Sequence, residues 1–137
     1  MRHPLHPALV HFPIACWSLA TLADLISGFV GQPAWWLAGV LMAIGLACAI
    51  PAMIAGFVEL LRLPDDSPAI GDVNRHMAWV MAAFSLYAIS FLMRVHAMAL
   101  HAPGLIAIVL SVLGFACLGV AGWLGGKLVY GHRLGAR

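Results

Sequence analysis

Seven histidines stand in a chain of 137 residues that is 64% hydrophobic and only 9% charged. Imidazole changes charge near neutral pH and binds metals through either ring nitrogen. An ionisable ring inside an apolar run costs free energy, so it demands a partner or a ligand. Two of the seven have that setting: His11 lies between Val10 and the pair Phe12-Pro13, and His76 opens a long apolar stretch. Together they suit the two axial positions of a haem b, with Arg62, Arg75 or Lys127 meeting its anionic propionates. His6, His11, Glu59, His76 and His132 form an alternative donor set for one small ion of zinc, iron or copper. His3, His96, His101 and His132, taken singly, also suit the polar interface of a bilayer.

The elements that must position these residues follow from the hydropathy. A mean hydropathy of +1.00 with so few charges cannot build a water-soluble surface, where roughly a quarter of residues are charged. Polar and turn-forming residues divide the chain into apolar runs at about 8–30, 34–63, 73–98 and 104–130. Each reaches the length of about 20 residues needed to cross a bilayer. The links are Gly31-Gln32-Pro33, Pro64-Asp65-Asp66-Ser67-Pro68 and His101-Ala102-Pro103. Short links make neighbours antiparallel, which predicts an all-α, up-down-up-down four-helix bundle filling residues 1–137 as one membrane domain. No alternating ten-residue pattern is present, so a barrel is excluded.

Orientation follows from the cations. With four spans, Arg2, Arg62, Arg75, Lys127, Arg133 and Arg137 fall on one side and Arg94 alone on the other. Six against one predicts that both termini are cytoplasmic. His3, His6, His11, Glu59, His76 and His132 then gather at that same end from all four helices. No basic patch is interleaved with exposed aromatics, so nucleic acid is not the expected partner. His11 and Pro13 interrupt any early signal-peptide core, which predicts that the first segment is retained.

Inside the spans, Cys16, Cys48 and Cys117 read as small buried residues rather than disulfides. Pro13 and Pro51 should kink their helices and free the carbonyls of Leu9 and Ala47. Gly119, Gly122, Gly125 and Gly126 would let another helix or a flat ligand come close to the fourth span. His76, Ala83, Tyr87 and Arg94 recur at helical spacing and form one inward stripe. Asp24 lies at the depth of Arg94, which predicts a structural ion pair at the far end.

The segments His6-Pro7-Ala8-Leu9-Val10-His11-Phe12-Pro13, Gly56-Phe57-Val58-Glu59 and Gly125-Gly126-Lys127-Leu128-Val129-Tyr130-Gly131-His132, with Asp24 and His76 between them, carry a resemblance. In them the chain resembles the small bacterial membrane proteins of the domain of unknown function 2231 family over nearly its whole length. Glu59 stands where that family more usually has Asp, and Val80 where it often has Asn. The resemblance implies a multi-pass protein of the bacterial inner membrane. Through relatives joined to c-type cytochrome domains, it also implies a redox setting with a membrane or cytochrome partner.

Three functions are compatible with these residues: a haem b electron-transfer protein, a non-haem metal-binding membrane protein, and a cofactor-free structural or assembly subunit. A conventional hydrolase or transferase is disfavoured, because HExxH, GxSxG and phosphate-binding glycine loops are all missing. Transport by alternating halves would require a homodimer.

Overall fold

The computed structural model describes residues 5–132 and is all-helical apart from one small hairpin. Arg2, His3, Arg133 and Arg137, used above, lie outside the described residues. In chain order the elements are α1 (Leu5–Leu9), α2 (His11–Val30), α3 (Gln32–Leu60), α4 (Ile70–Leu92), β1 (Val95–His96), β2 (Ala99–Leu100) and α5 (Leu105–Tyr130).

Helices α1 and α2 are one rod with a fault. Pro13 has no N–H to give the Leu9 carbonyl, and its ring crowds that turn. The break falls at Val10, whose own N–H still reaches His6 at 3.1 Å. By contrast, α3 runs unbroken through Pro51. Gly31 alone joins α2 to α3, at a φ of 80° that favours a residue without Cβ. The third span, expected to reach residue 98, stops as a helix at Leu92. Beyond it, β1 and β2 pair Val95 with Leu100 and His96 with Ala99, around a turn with positive φ at both Ala97 and Met98.

The helices pack as two hairpins, α2 on α3 and α4 on α5, with much slighter packing between hairpins. Within each hairpin the contacts run in opposite sequence order. His6 meets Gly56 and Trp17 meets Gly45; His76 meets Gly125 and Tyr87 meets Gly114. Between α2 and α4 they run in the same order, from His6 against His76 to Asp24 against Arg94. The core where the hairpins meet holds Trp17, Ala20, Met42, Ala49 and Tyr87.

Polarity is inverted relative to a water-soluble protein. Asp24, Arg94, Ser90, Ser111 and Thr21 are buried, whereas Phe29 is 95% exposed, Leu105 77% and Trp123 70%. An apolar exterior of this extent suits lipid rather than water. Three helical segments are long and apolar enough to cross a membrane: His6–Val30, Gln32–Leu60 and Leu105–Tyr130. Helix α4 is 23 residues long and more polar, with Asp72, Asn74, Arg75 and His76 in its first two turns.

Glycines set the close approaches, and of the expected stripe only Gly125, which seats the His76 ring, is among them. A Cβ at Gly119, Gly122 or Gly126 would meet nothing within 4 Å, so those positions bring no other helix near. At Gly45 a methyl would overlap the Trp17 indole, and at Gly114 it would lie 2.9 Å from the Tyr87 ring. Small residues are therefore placed where large inward rings need room.

Candidate functional site

Two polar clusters cap the line where α2 faces α4, and a third lies beside the first. At the end formed by the starts of α1 and α4, the half-buried rings of His6 and His76 form a T-shaped pair with centroids 6.3 Å apart and planes at 90°. Each ring is fixed by its own hairpin. His6 Nδ1 lies 2.7 Å from the Ala52 carbonyl, and His76 Nδ1 lies 2.8 Å from that of Ala121. A carbonyl can only accept, so each Nδ1 carries a proton and donates it, and in the neutral imidazole the lone pair is then on Nε2. Ligating histidines are commonly oriented in this way, by an outer hydrogen bond from the second nitrogen.

Glycine makes room for both rings. A Cβ on Gly56 would lie 2.9 Å from the His6 ring, and one on Gly125 would lie 3.3 Å from that of His76. Glu59 is half-buried and accepts from the backbone N–H of His6 at 3.4 Å, which holds the chain start against α3.

The residue that meets His76 is thus His6, not His11. His11 is exposed at the start of α2. Five residues beyond His6 on a rod turning 100° per residue, it points about 140° away from the inward face. The sequence held the signal that separates the two. His6, Pro13, Trp17, Ala20 and Asp24 recur near multiples of 3.6 residues, and an inward Asp24 therefore implies an inward His6.

The third cluster centres on Asp72, which sequence reasoning passed over. Lys127 Nζ lies 2.9 Å from Asp72 Oδ2, His132 Nε2 lies 3.0 Å from the same oxygen, and Arg75 lies 3.7 Å from Oδ1. The hydrogen bonds from Lys127 and His132 hold the Asp72 carboxyl below the usual carboxylate range. The available signal was an acid flanked by cations, at the first turn of α4. His132, Lys127 and Arg75 are therefore engaged with Asp72, and Arg62 is exposed. The set His6, His11, Glu59, His76 and His132 does not converge, and among the described residues no three His, Cys, Asp or Glu side chains gather to hold a metal ion.

At the opposite end, Arg94 donates to both oxygens of Asp24, at 2.8 and 3.1 Å. Its Nε donates to the Ser90 carbonyl and its Nη2 to Ser90 Oγ, which in turn donates to the Ala107 carbonyl at 2.6 Å. Both charged side chains are fully buried. Midway, Trp17 stacks on Tyr87 at 4.9 Å, and the Tyr87 hydroxyl donates to the Trp17 carbonyl and lies 2.7 Å from that of Thr21. Cys16, Cys48 and Cys117 are free and half-buried. His96 and His101 stand together on the exposed hairpin, 5.4 Å apart.

An apolar exterior around a polar axial line defines a helical protein of the membrane class. Within that class, the chain belongs to the family described as predicted membrane protein DUF2231, which it matches over residues 2–137. No curated protein and no solved structure matches it.

Proposed function

We propose that this chain is a four-span integral protein of the bacterial inner membrane, folded up-down-up-down as a single domain with cytoplasmic termini, and that His6 and His76 hold one haem b for electron transfer. The apolar exterior supports the membrane setting, and the clustering of Arg62, Arg75 and Lys127 at the histidine end supports the orientation. Helix α4 crosses despite its polarity because its charged first turns lie at the interface and its buried polar groups are paired within the bundle.

The 6.3 Å spacing of two imidazoles whose Nδ1 atoms are already committed carries the cofactor reading. A metal–imidazole bond is about 2 Å and a ring nitrogen lies about 1 Å from its ring centre, so two rings on opposite sides of one metal stand about 6 Å apart. With only two protein donors at hand, a metal that brings its own macrocycle suits the site better than a bare ion requiring four. Slight packing between the hairpins gives a planar ring a seam to enter. Arg62, exposed at this end, is the cation best placed to meet propionates.

The test is an optical spectrum of purified protein supplied with haem, before and after dithionite, together with metal analysis. A Soret band lost in His6→Ala and in His76→Ala but kept in His11→Ala is expected. Stoichiometric zinc, iron or copper without a Soret band would move the assignment to a small ion, and neither haem nor metal would leave a structural subunit.

A further inference from the structure

The two hairpins are copies of one pattern. Val40-Leu41-xxx-Gly45-x-Ala47-Cys48-xxx-Ala52-xxx-Gly56 in α3 recurs as Val109-Leu110-xxx-Gly114-x-Ala116-Cys117-xxx-Ala121-xxx-Gly125 in α5, with seven of 17 positions identical at an offset of 69 residues. The opposing helices follow at an offset of 70, which pairs His6 with His76, Trp17 with Tyr87 and Asp24 with Arg94. The contacts repeat with the sequence. In each half a histidine sits on the last glycine of the motif and donates to the carbonyl of the preceding alanine. In each half an aromatic ring sits on the first glycine.

These equivalent residues also touch each other. His6 meets His76, Trp17 stacks on Tyr87, and Asp24 pairs with Arg94. In a two-fold arrangement a residue meets its own image only on the axis. Three such self-pairs, spread from α1 to the far part of α2, draw a pseudo-two-fold axis along the bundle. Parallel repeats about an axis along the membrane normal are a known membrane architecture. Two of the self-pairs differ between halves, and the Asp24–Arg94 difference replaces the like charges that identical hairpins would oppose with an ion pair. At the third, the histidines, their glycine seats and their carbonyl acceptors are identical in both halves.

We infer that the His6–His76 site lies on a pseudo-two-fold axis between duplicated hairpins, and that it takes a metalloporphyrin standing edge-on, its plane containing that axis. This rests on the haem reading for its ligand and on the repeat for its symmetry. Two axial rings exchanged by a two-fold lie on opposite faces of the macrocycle, which puts the axis within the macrocycle plane. The ring then stands parallel to the helices, one edge towards the histidine end, and each hairpin supplies one equivalent bond.

The experiment is electron paramagnetic resonance of the full-length haem-loaded protein in stacked oriented bilayers, with His6→Ala and His76→Ala alongside. A low-spin ferric signal of the strongly anisotropic type given by perpendicular imidazole planes is expected, with the haem normal in the plane of the membrane. Each single variant should convert the signal to high spin to the same extent, and added imidazole should restore low spin in both. A haem lying flat in the membrane, or a spectrum that needs only one of the two histidines, would overturn the symmetric site and leave haem binding intact. Failure of the wild type to bind added haem would overturn the porphyrin ligand together with the haem reading itself.

Discussion

The two ends of the α2–α4 line join the hairpins in different ways. At the far end, Asp24 and Arg94 are fully buried and bonded to each other through two hydrogen bonds, with Ser90 accepting two more from Arg94. At the near end, His6 and His76 are half-buried and each is bonded only to its own hairpin, so the rings meet without a hydrogen bond between them. One end is locked across the hairpins and the other is merely apposed. Parting the hairpins at the second end breaks no buried charge pair, so the proposed ligand would enter between them there.

The largest effect that would break this comparison is loss of the lock. Asp24→Ala or Arg94→Ala leaves one buried charge without its partner and should cost about 3–5 kcal/mol, while the double substitution should cost less than either. Denaturant or thermal unfolding in detergent measures this, and equal stability of single and double variants would show that the ends do not differ as described.

Glycine substitutions sharpen the contrast at the next level. Gly45→Ala drives a methyl into the Trp17 indole and should cost about 1–3 kcal/mol. Gly122→Ala meets nothing and should be neutral, or stabilising by up to about 1 kcal/mol through helix propensity. Gly56→Ala should move the His6 ring and, on the proposed haem reading, weaken haem retention well beyond its effect on unfolding. Equal responses of Gly45 and Gly122 would dissolve the distinction between seats and open positions.

The smallest effect concerns the Asp72 cluster beside the histidine end. Its carboxyl is held below the ordinary value by the hydrogen bonds from Lys127 and His132. A group whose folded pKa is depressed stabilises the fold above its unfolded pKa, here about 3.9, and loses that contribution as pH falls through the folded value. The melting temperature of Asp72→Asn should therefore lie slightly below that of the wild type near neutrality, with the gap closing as the solution is acidified below about pH 4. A gap that stays constant with pH would show that the carboxylate charge contributes nothing.

Some of the site was legible and some was not. The stripe His76, Ala83, Tyr87 and Arg94 can be read from spacing, because a charged residue that closes a long apolar run must find its partner inwards. His11 has apolar neighbours, yet in a membrane helix such neighbours mark the lipid side as readily as the core. Asp24 was the better guide, since counting five turns back from it arrives at His6. The repeated motif from Val40 to Gly56 and from Val109 to Gly125 is also visible in the letters, but its meaning rests on which ring occupies each glycine seat.

By itself, the sequence determined the helical class, the apolar exterior, the order of the helices and the family. The first three depend on composition and on run lengths and the family on local motifs, none of which needs a partner to be read. Tertiary structure alone decided that His6 rather than His11 faces His76, that Asp72 engages Lys127 and His132, and that Gly45, Gly56, Gly114 and Gly125 are seats while Gly119 and Gly122 are not. The physical reason is that lipid is as apolar as a protein core, so the hydrophobic pattern of a membrane helix marks its inner face only weakly. The rotation of each helix is then set by the few polar and bulky groups that must find bonds or space in a neighbour, and those become visible only once the helices are packed.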